Sequence, residues 1–405
     1  MIKTLAGNVG LFTPSLFLDF TKGSLPSGVT FSRSSVGTYY NSSGVLTAAT
    51  SNVARIDYDP VTLTCRGILL EESRQNFIVQ SSAYTTGSWV KSNCSITANS
   101  DVAPDGTTTA SLINFFGQNG AYCQQSFGVT TGTTYCFSFY AKGTQIVART
   151  DGAMGGGSGS GIVFNLTNGT FTNASGLYTN VTITNVGSGY YRCSFTKAAT
   201  STGTGTFAID NPNGFYTTVA GSCIIWGAQA EVGSFVTSYI PTTTAAVTRA
   251  TDYLTINSGT WYSKNESSVF VQYNNLGGGY LFSFGDGQTF QSEILATLNA
   301  SNILRMQMPN GGGYANVTGN GIQYSPYTFG QVSKAAFGFN AGSICLAYNN
   351  TLVTGTATVM PIGNGIVNFY IGRDRNSTAN YSGWIQKFIY YPKRLSNAYL
   401  QKLTQ

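Results

Sequence analysis

Short runs of β-branched and aromatic residues, separated by glycine and asparagine turns, constrain the fold of this chain more than any other feature. Such runs recur roughly every 8–15 residues between residues 76 and 243. Val181-Thr182-Ile183-Thr184 alternates apolar and polar side chains, whereas residues 135–140 are apolar on both faces and predict a central strand. Glycine supplies 49 of 405 residues, and tight turns favour glycine. The pattern predicts an all-β protein.

A polar bridge at residues 244–254 divides the strand pattern into two stretches. The pattern restarts at residues 268–273 and continues to about residue 392. Ser396 then has the character of an N-cap, and an amphipathic segment follows it, so we predict one short C-terminal helix. Its predicted buried side consists of Tyr399, Leu400 and Leu403.

The first 75 residues contain an apolar arm followed by short strands between turns. They are too few and too interrupted to form an independent core, so the arm needs a partner surface in its own chain or in another subunit. We therefore predict two tandem antiparallel β-sandwiches of the jelly-roll type, preceded by an extended N-terminal anchoring segment. The predicted domains are residues 1–75 for the anchoring segment, 76–250 for the first sandwich and 251–405 for the second.

The chain is poorly equipped for proton chemistry. It contains no histidine, and only 9% of its residues are charged, against about 25% in ordinary soluble domains. Without imidazole it lacks the commonest general base and the commonest metal ligand. No aspartate cluster of calcium-loop spacing occurs either. The composition predicts a binding or structural protein that is not an enzyme; no cofactor or metal is predicted, and the question of a bound calcium ion stays open.

Paired carboxylates are the one catalytic route that this composition leaves open. A glycosidase needs two of them about 5–10 Å apart. We interpret the neighbouring acids instead as turn and inter-strand contacts, since adjacent residues of a strand point to opposite faces. The pairs in question are Asp57 with Asp59, Glu71 with Glu72, and Asp101 with Asp105.

Further sequence patterns indicate free cysteines and argue against a membrane span and against nucleic-acid binding. The seven cysteines are spread out without CxxC spacing, so we predict free, mostly buried thiols of a protein folded in a reducing cytosol. The N-terminus lacks a signal-peptide pattern, and no stretch approaches 18 apolar residues, so no membrane span is predicted. No groove dense in aromatic and basic residues indicates nucleic-acid binding.

Two regions resemble known β-modules. Ile371-Gly372, Gly383-Trp384-Ile385 and Leu395-Ser396 resemble the closing motif of laminin-G/concanavalin-like jelly rolls. The middle region is similar to carbohydrate-binding jelly rolls of glycanases and phage proteins. The residues that carry this second resemblance are 76–78, Trp89, 132–142 and 224–232.

A combination of segments is similar to phage head-spike, fibre and tail-associated proteins. The resemblance implies a surface protein of a tailed-bacteriophage virion, synthesised in the host cytoplasm, that displays β-modules for adhesion to host-surface polysaccharide. It also implies a homotrimer that attaches to capsid or tail proteins through its N-terminal segment. A capsid decoration or cement protein without receptor binding, or a tail-fibre or tail-spike component, remain alternatives. The segments are residues 18–35, 55–60, 67–76, 237–242 and 248–252.

Sugar binding needs exposed aromatic rings beside amides or carboxylates. Each candidate for this role also has a plainer interpretation as a core or rim residue, and Trp226 is predicted to be core. The carbohydrate-binding candidates are Trp89, Tyr122, Gln124, Asp210 and Tyr216 in the middle domain and Tyr314, Arg375 and Tyr381 in the last. The virion-anchoring candidates are Leu16, Phe17, Leu18 and Phe20.

Overall fold

The protein folds into antiparallel β-sheets in two compact units, as a computed structural model shows. One unit combines the residues before Ser32 with Tyr253–Gln405, and the other is Ser32–Asp252. The all-β prediction is therefore confirmed. Residues 1–75 are divided between the two units, and the second change of unit lies between Asp252 and Tyr253. The structure describes residues 12–257, 259–263, 265–285, 294–299, 303–307, 321–356, 368–374, 376 and 380–405.

The described elements follow one another along the chain as follows. The first unit begins with β1 (Leu16–Asp19), a 3-10 helix (Phe20–Lys22) and β2 (Val29–Ser32). The second unit contains β3 (Gly37–Tyr40), β4 (Leu46–Ala49), β5 (Ile56–Tyr58), β6 (Cys65–Leu70), β7 (Arg74–Asn76), β8 (Val90–Ser92), β9 (Cys94–Asp101), β10 (Ala110–Phe115), β11 (Tyr122–Val129), β12 (Thr134–Lys142), β13 (Gln145–Gly152), β14 (Ile162–Asn165), β15 (Thr170–Thr172), β16 (Thr179–Asn185), β17 (Tyr191–Ala198), β18 (Gly203–Asp210), β19 (Gly221–Val232) and β20 (Val247–Arg249). The first unit resumes with β21 (Tyr253–Ile256), β22 (Glu266–Asn275), β23 (Gly279–Gly285), β24 (Ile294–Asn299), β25 (Ile303–Gln307), β26 (Gly321–Tyr324), β27 (Val332–Asn340), β28 (Ser343–Tyr348), β29 (Thr351–Gly355), β30 (Asn368–Ile371), β31 (Gly383–Tyr391) and α1 (Asn397–Leu403).

The second unit is a sandwich of two six-stranded sheets. The first sheet has the order β16-β17-β12-β19-β10-β9 and the second has the order β15-β14-β13-β18-β11-β8. Phenylalanines from both sheets fill the space between them: the Phe137 ring lies 5.1 Å from Phe195 in its own sheet and 5.5 Å from Phe207 in the other. The strand predicted at residues 135–140 is the central strand β12.

The N-terminal hairpin of the second unit covers the side of the first sheet that points away from the sandwich core. Tyr40 of β3 and Leu46 of β4 are buried there in one cluster with Tyr140, Trp226 and Tyr239. The Trp226 ring lies 4.7 Å from Tyr239, which confirms that Trp226 is a core residue. This hairpin explains why strand β12 is apolar on both faces: each face packs against a different layer.

A buried ionic cluster joins the start of the second unit to its end. Arg33 donates to Asp252 at 3.0 Å, Arg55 donates to Glu71 at 2.6 Å, and Arg249 lies 3.1 Å from the same Glu71 carboxylate. Arg55 also pairs with Asp252. Burial by itself raises the pKa of Glu71, but the Arg249 and Arg55 guanidiniums outweigh it and lower that pKa to about 2. The cluster is charge-paired and largely solvent-excluded.

The first unit is also built from two facing sheets. One contains β29-β28-β27-β22-β31, with β1 paired to β31, and the other has the order β2-β21-β30-β23-β24-β25-β26. Phe282 of β23 contacts Phe337 at 5.2 Å and Phe388 at 5.8 Å across the core. Helix α1 begins after Ser396, whose hydroxyl accepts the Tyr399 backbone N–H, and it buries Leu400 against the first of these sheets. The predicted C-terminal helix is confirmed.

The apolar arm is paired within its own unit. Leu16 lies opposite Tyr390 of β31, and the side chains of Leu18 and Phe20 are fully buried. Phe17 points the other way and is 44% exposed. The partner surface that the sequence required for this arm is thus present in the same chain.

Two further expectations can be compared with the structure. All seven cysteines are free thiols, and five of them are buried, as predicted. Among the described residues, no helix is long and apolar enough to cross a membrane.

Candidate functional site

The second sheet of the second unit has an outer face, directed away from the core, on which polar and aromatic side chains converge. Tyr122 of β11 lies opposite Asp210 of β18, and Arg149 of β13 lies opposite Ala208. Because side chains alternate along a strand, Tyr122, Arg149 and Asp210 share one face while Cys123 and Ile209 enter the core. We call this surface the outer face.

Arg149 is the centre of the outer face. Its Nε donates to Asp210 Oδ2 at 2.8 Å, and its Nη1 donates to Asp151 Oδ2 at 2.8 Å. The guanidinium lies 5.0 Å from the ring centroid of Phe215 and 5.8 Å from that of Tyr122. Only 2% of the Arg149 side chain is exposed. Carboxylates and rings therefore hold this cation rigidly in one orientation.

The loop of residues 211–220 brings two aromatic rings onto the outer face. Gly120 donates its N–H to the Phe215 carbonyl at 2.9 Å, and Gly214 takes a positive φ of 103° in the turn before it. The Phe215 ring is stacked on Tyr122, with centroids 6.2 Å apart and planes 7° apart. Tyr216 packs edge-on against Phe215 at 5.1 Å and is 68% exposed. A supported aromatic ring thus faces solvent at this site.

Asp210 is the buried acceptor of the site. Burial raises its pKa to about 6, although Arg149 acts in the opposite direction. Its Oδ2 accepts from Arg149, whereas its buried Oδ1 has no hydrogen-bond partner among the described residues. Because this oxygen is itself buried, it is closed to a ligand on the outer face, and the Asp210 carboxylate serves to hold Arg149 in place.

The structure brings together four of the eight carbohydrate-binding candidates: Tyr122, Gln124, Asp210 and Tyr216. Of these four, Asp210 is buried, and two further candidates are buried away from this face. Trp89 is buried, with its ring 4.5 Å from Tyr84 and its indole N–H donating to the Gln80 carbonyl. Tyr381 is buried, and its hydroxyl donates to the Asn274 carbonyl at 2.8 Å. The last two candidates, Tyr314 and Arg375, lie outside the described residues.

Sequence reasoning missed three members of this site: Arg149, Asp151 and Phe215. Arg149 left one signal, because it is a charged residue within the otherwise uncharged stretch from Gln145 to Thr150 of strand β13. Its pairing with Asp210 depends on strand register between residues 61 positions apart. That register is not visible in local sequence.

The acidic pairs weighed as catalytic groups make structural contacts. Asp57 accepts the Tyr40 backbone N–H at 2.7 Å, and Asp59 accepts those of Val61 and Thr62 in a turn. Glu71 belongs to the buried ionic cluster. Within the described part of the chain, no group of three or more metal-binding side chains is assembled.

A separate pocket lies elsewhere in the second unit. Its volume is about 370 Å³. Arg74 dominates it: the guanidinium lies 4.8 Å over the Phe235 ring, and its Nε donates to Glu72 at 2.9 Å. The pocket therefore presents an arginine that is already paired with a carboxylate, whereas the outer face presents an exposed aromatic ring. Its lining residues are Glu72, Ser73, Arg74, Gln75, Phe77, Val232 and Gly233.

Comparison with known proteins gives weak structural similarities. No protein-family model matches the chain, and no curated protein matches it. The CBM40 domain of Ruminococcus gnavus IT-sialidase, bound to α2,6-sialyllactose, is 16% identical, with a TM-score of 0.31 over 35% of this chain and 85% of that domain. The NanB sialidase from Streptococcus pneumoniae is 13% identical, with a TM-score of 0.31 over 36% of this chain and 25% of the sialidase. A receptor-binding domain of botulinum neurotoxin mosaic serotype C/D is 14% identical, with a TM-score of 0.29 over 36% and 38%. Similarity at this level identifies neither a family nor a ligand for this chain.

Proposed function

We propose that this protein is a non-catalytic carbohydrate-binding protein and that the outer face is its binding surface. The observation that carries the proposal is Tyr216, 68% exposed and braced by Phe215 beside the Arg149–Asp210 pair. The C–H face of a sugar ring packs well on such an aromatic ring, while its hydroxyls bind carboxylate and amide groups. The exposed Asp151 and the half-buried Gln124 supply those groups on the same face.

A glycan array probed with the full-length protein tests this proposal. The wild-type protein should bind a defined subset of glycans, and Tyr216→Ala should weaken that binding about tenfold, since stacking contributes about 1.4 kcal/mol. Phe171→Ala is the matched control, because Phe171 is 43% exposed but lies on the core side of edge strand β15, where its ring is 6.4 Å from Phe164. Equal affinities for wild type and Tyr216→Ala would count against the outer face.

The absence of catalysis is a separate part of the proposal. Incubation of the protein with bound polysaccharide, followed by a reducing-end assay, should release no oligosaccharide. Release that disappears when one carboxylate is replaced by its amide would show that the protein is a hydrolase.

We further propose that the protein is displayed on the surface of a tailed-phage virion as a head spike or fibre. The similarity of its N-terminal and unit-joining segments to those proteins supports this, and so does the exposed Phe17 on the arm. Deleting the arm would also remove the buried Leu18 and Phe20, so the sharper test is Phe17→Ser. This variant should fold but incorporate poorly into particles; normal incorporation would argue against anchoring through this residue.

The position of the protein in the virion and its oligomeric state are tested by two separate measurements. A particle-level electron-microscopy map distinguishes a head spike from a tail fibre or a capsid decoration protein. Light scattering of the full chain at micromolar concentration should report a trimer, and a stable monomer would refute the proposed homotrimer.

A further inference from the structure

The outer face carries more negative than positive charge. Arg149, Asp151 and Asp210 are the charged residues among the outward-facing positions of β11, β13, β14, β15 and β18. The two loops that border them, residues 153–161 and 211–220, contain no charged residue. One arginine against two ionised aspartates leaves the face with a net charge of −1.

The single cation of the face is not open to a ligand's carboxylate. Arg149 already donates to Asp210 and Asp151, both at 2.8 Å, and only 2% of its side chain is exposed. The aromatic rings of Tyr122 and Phe215 also lie within 6 Å of its guanidinium. A carboxylate entering here would meet the exposed Asp151, whose side chain is 46% accessible. Burial of that like charge would be uncompensated.

We infer that the outer face selects uncharged sugars and discriminates against sialic and uronic acids. This inference rests on the proposed function and names its ligand class. The exposed Asp151 carboxylate accepts from a sugar hydroxyl, whereas it repels a second carboxylate. The net charge of +6 on the whole chain attracts acidic glycans at long range, so the selectivity arises locally at this face.

The test is a binding titration of the full-length protein at pH 7 against pairs of oligosaccharides that differ only in a terminal carboxylate. The neutral member of each pair should bind at least about tenfold more tightly. Asp151→Asn should lower the ratio of the affinity for the neutral sugar to that for the acidic sugar, because it removes one negative charge from the outer face. Asp105→Asn, in a loop outside this face, is the control and should leave the ratio unchanged.

The outcomes separate the two proposals. Tighter neutral binding together with a narrowed ratio in Asp151→Asn supports the inference. Equal or tighter binding of the acidic member, with sensitivity to Tyr216→Ala retained, overturns the inference and leaves the carbohydrate-binding proposal intact. If no member of any pair binds, both proposals fail.

Discussion

Two buried arginine clusters act differently at the residue scale. Arg55 and Arg249 are committed to Glu71 inside the second unit, where removal of a partner would leave an unpaired buried charge. Arg149 lies instead beside the half-buried Phe215 ring, which supports the exposed Tyr216, and it pairs with Asp210 and Asp151. The first arrangement holds segments of the chain together, and the second lies at the surface that we propose as the binding site.

Glu71→Gln should cost on the order of 3 kcal/mol of unfolding free energy at pH 7, because Arg249 loses its buried counter-charge and Arg55 keeps only Asp252. The pKa of Glu71 is lowered from 4.5 to about 2, so its contribution is present above pH 4.5 and is lost as the pH falls towards 2. The difference between wild type and variant should therefore shrink across that window in urea titrations. Glu266→Gln is the control: its partner Lys393 is 63% exposed, so its cost should stay below about 1 kcal/mol. A pH-independent difference for Glu71→Gln would contradict this assignment.

Asp210 predicts a second pH effect, on selectivity. Its pKa is raised to about 6, so it takes up a proton as the pH falls from 7 to 5, and the outer face goes from a net charge of −1 to neutral. The charged and titratable groups that face it are Arg149, Asp151 and Tyr122. The preference for neutral over acidic sugars should consequently weaken at pH 5 in the paired titrations. An unchanged ratio between pH 7 and pH 5 would show that Asp210 does not set it.

At the element scale, strand β1 makes the apolar arm part of a sheet. Its four residues pair with β31 from Leu16 opposite Tyr390 to Asp19 opposite Lys387. Alternation along this short strand buries Leu18 and exposes Phe17. One side of the arm therefore packs into the first unit, and the other side is exposed and available for the proposed virion contact.

Phe20→Ala and Phe17→Ala form a matched pair on this arm. Phe20 is 0% exposed, so its truncation should cost about 3–5 kcal/mol and lower the melting temperature of the first unit. Phe17 is 44% exposed, so its truncation should change stability by less than about 0.5 kcal/mol. Calorimetry of the full chain measures both. Similar losses for the two variants would mean that the arm does not pack as described.

The elements were largely predictable from sequence, whereas the site was predictable only in part. Residues 135–140 predicted a central strand because both faces of that strand are apolar, and Ser396 predicted where the helix starts. Tyr216 was selected as an aromatic residue in or near a predicted loop, and the structure shows it exposed there. Trp89 could not be placed, since a tryptophan near a loop packs inward or outward depending on residues distant in sequence. Arg149 was missed because its pairing depends on strand register.

At the scale of the whole molecule, the chain leaves its first unit after Phe31, completes the second, and returns at Tyr253. The second unit is therefore an insertion in the first, held at its ends by the Arg33–Asp252 ion pair. The chain uses hydroxyls, amides and aromatic rings where other proteins use charge, which agrees with the proposed carbohydrate-binding surface.

The most direct test of the central claim is a crystal structure of the full-length protein with the neutral oligosaccharide that binds best in the titrations. We expect a sugar ring packed on Tyr216 and a sugar hydroxyl within hydrogen-bond distance of the exposed Asp151 carboxylate. A ligand seated instead in the pocket beside Arg74 and Phe77, with the outer face empty, would contradict the account.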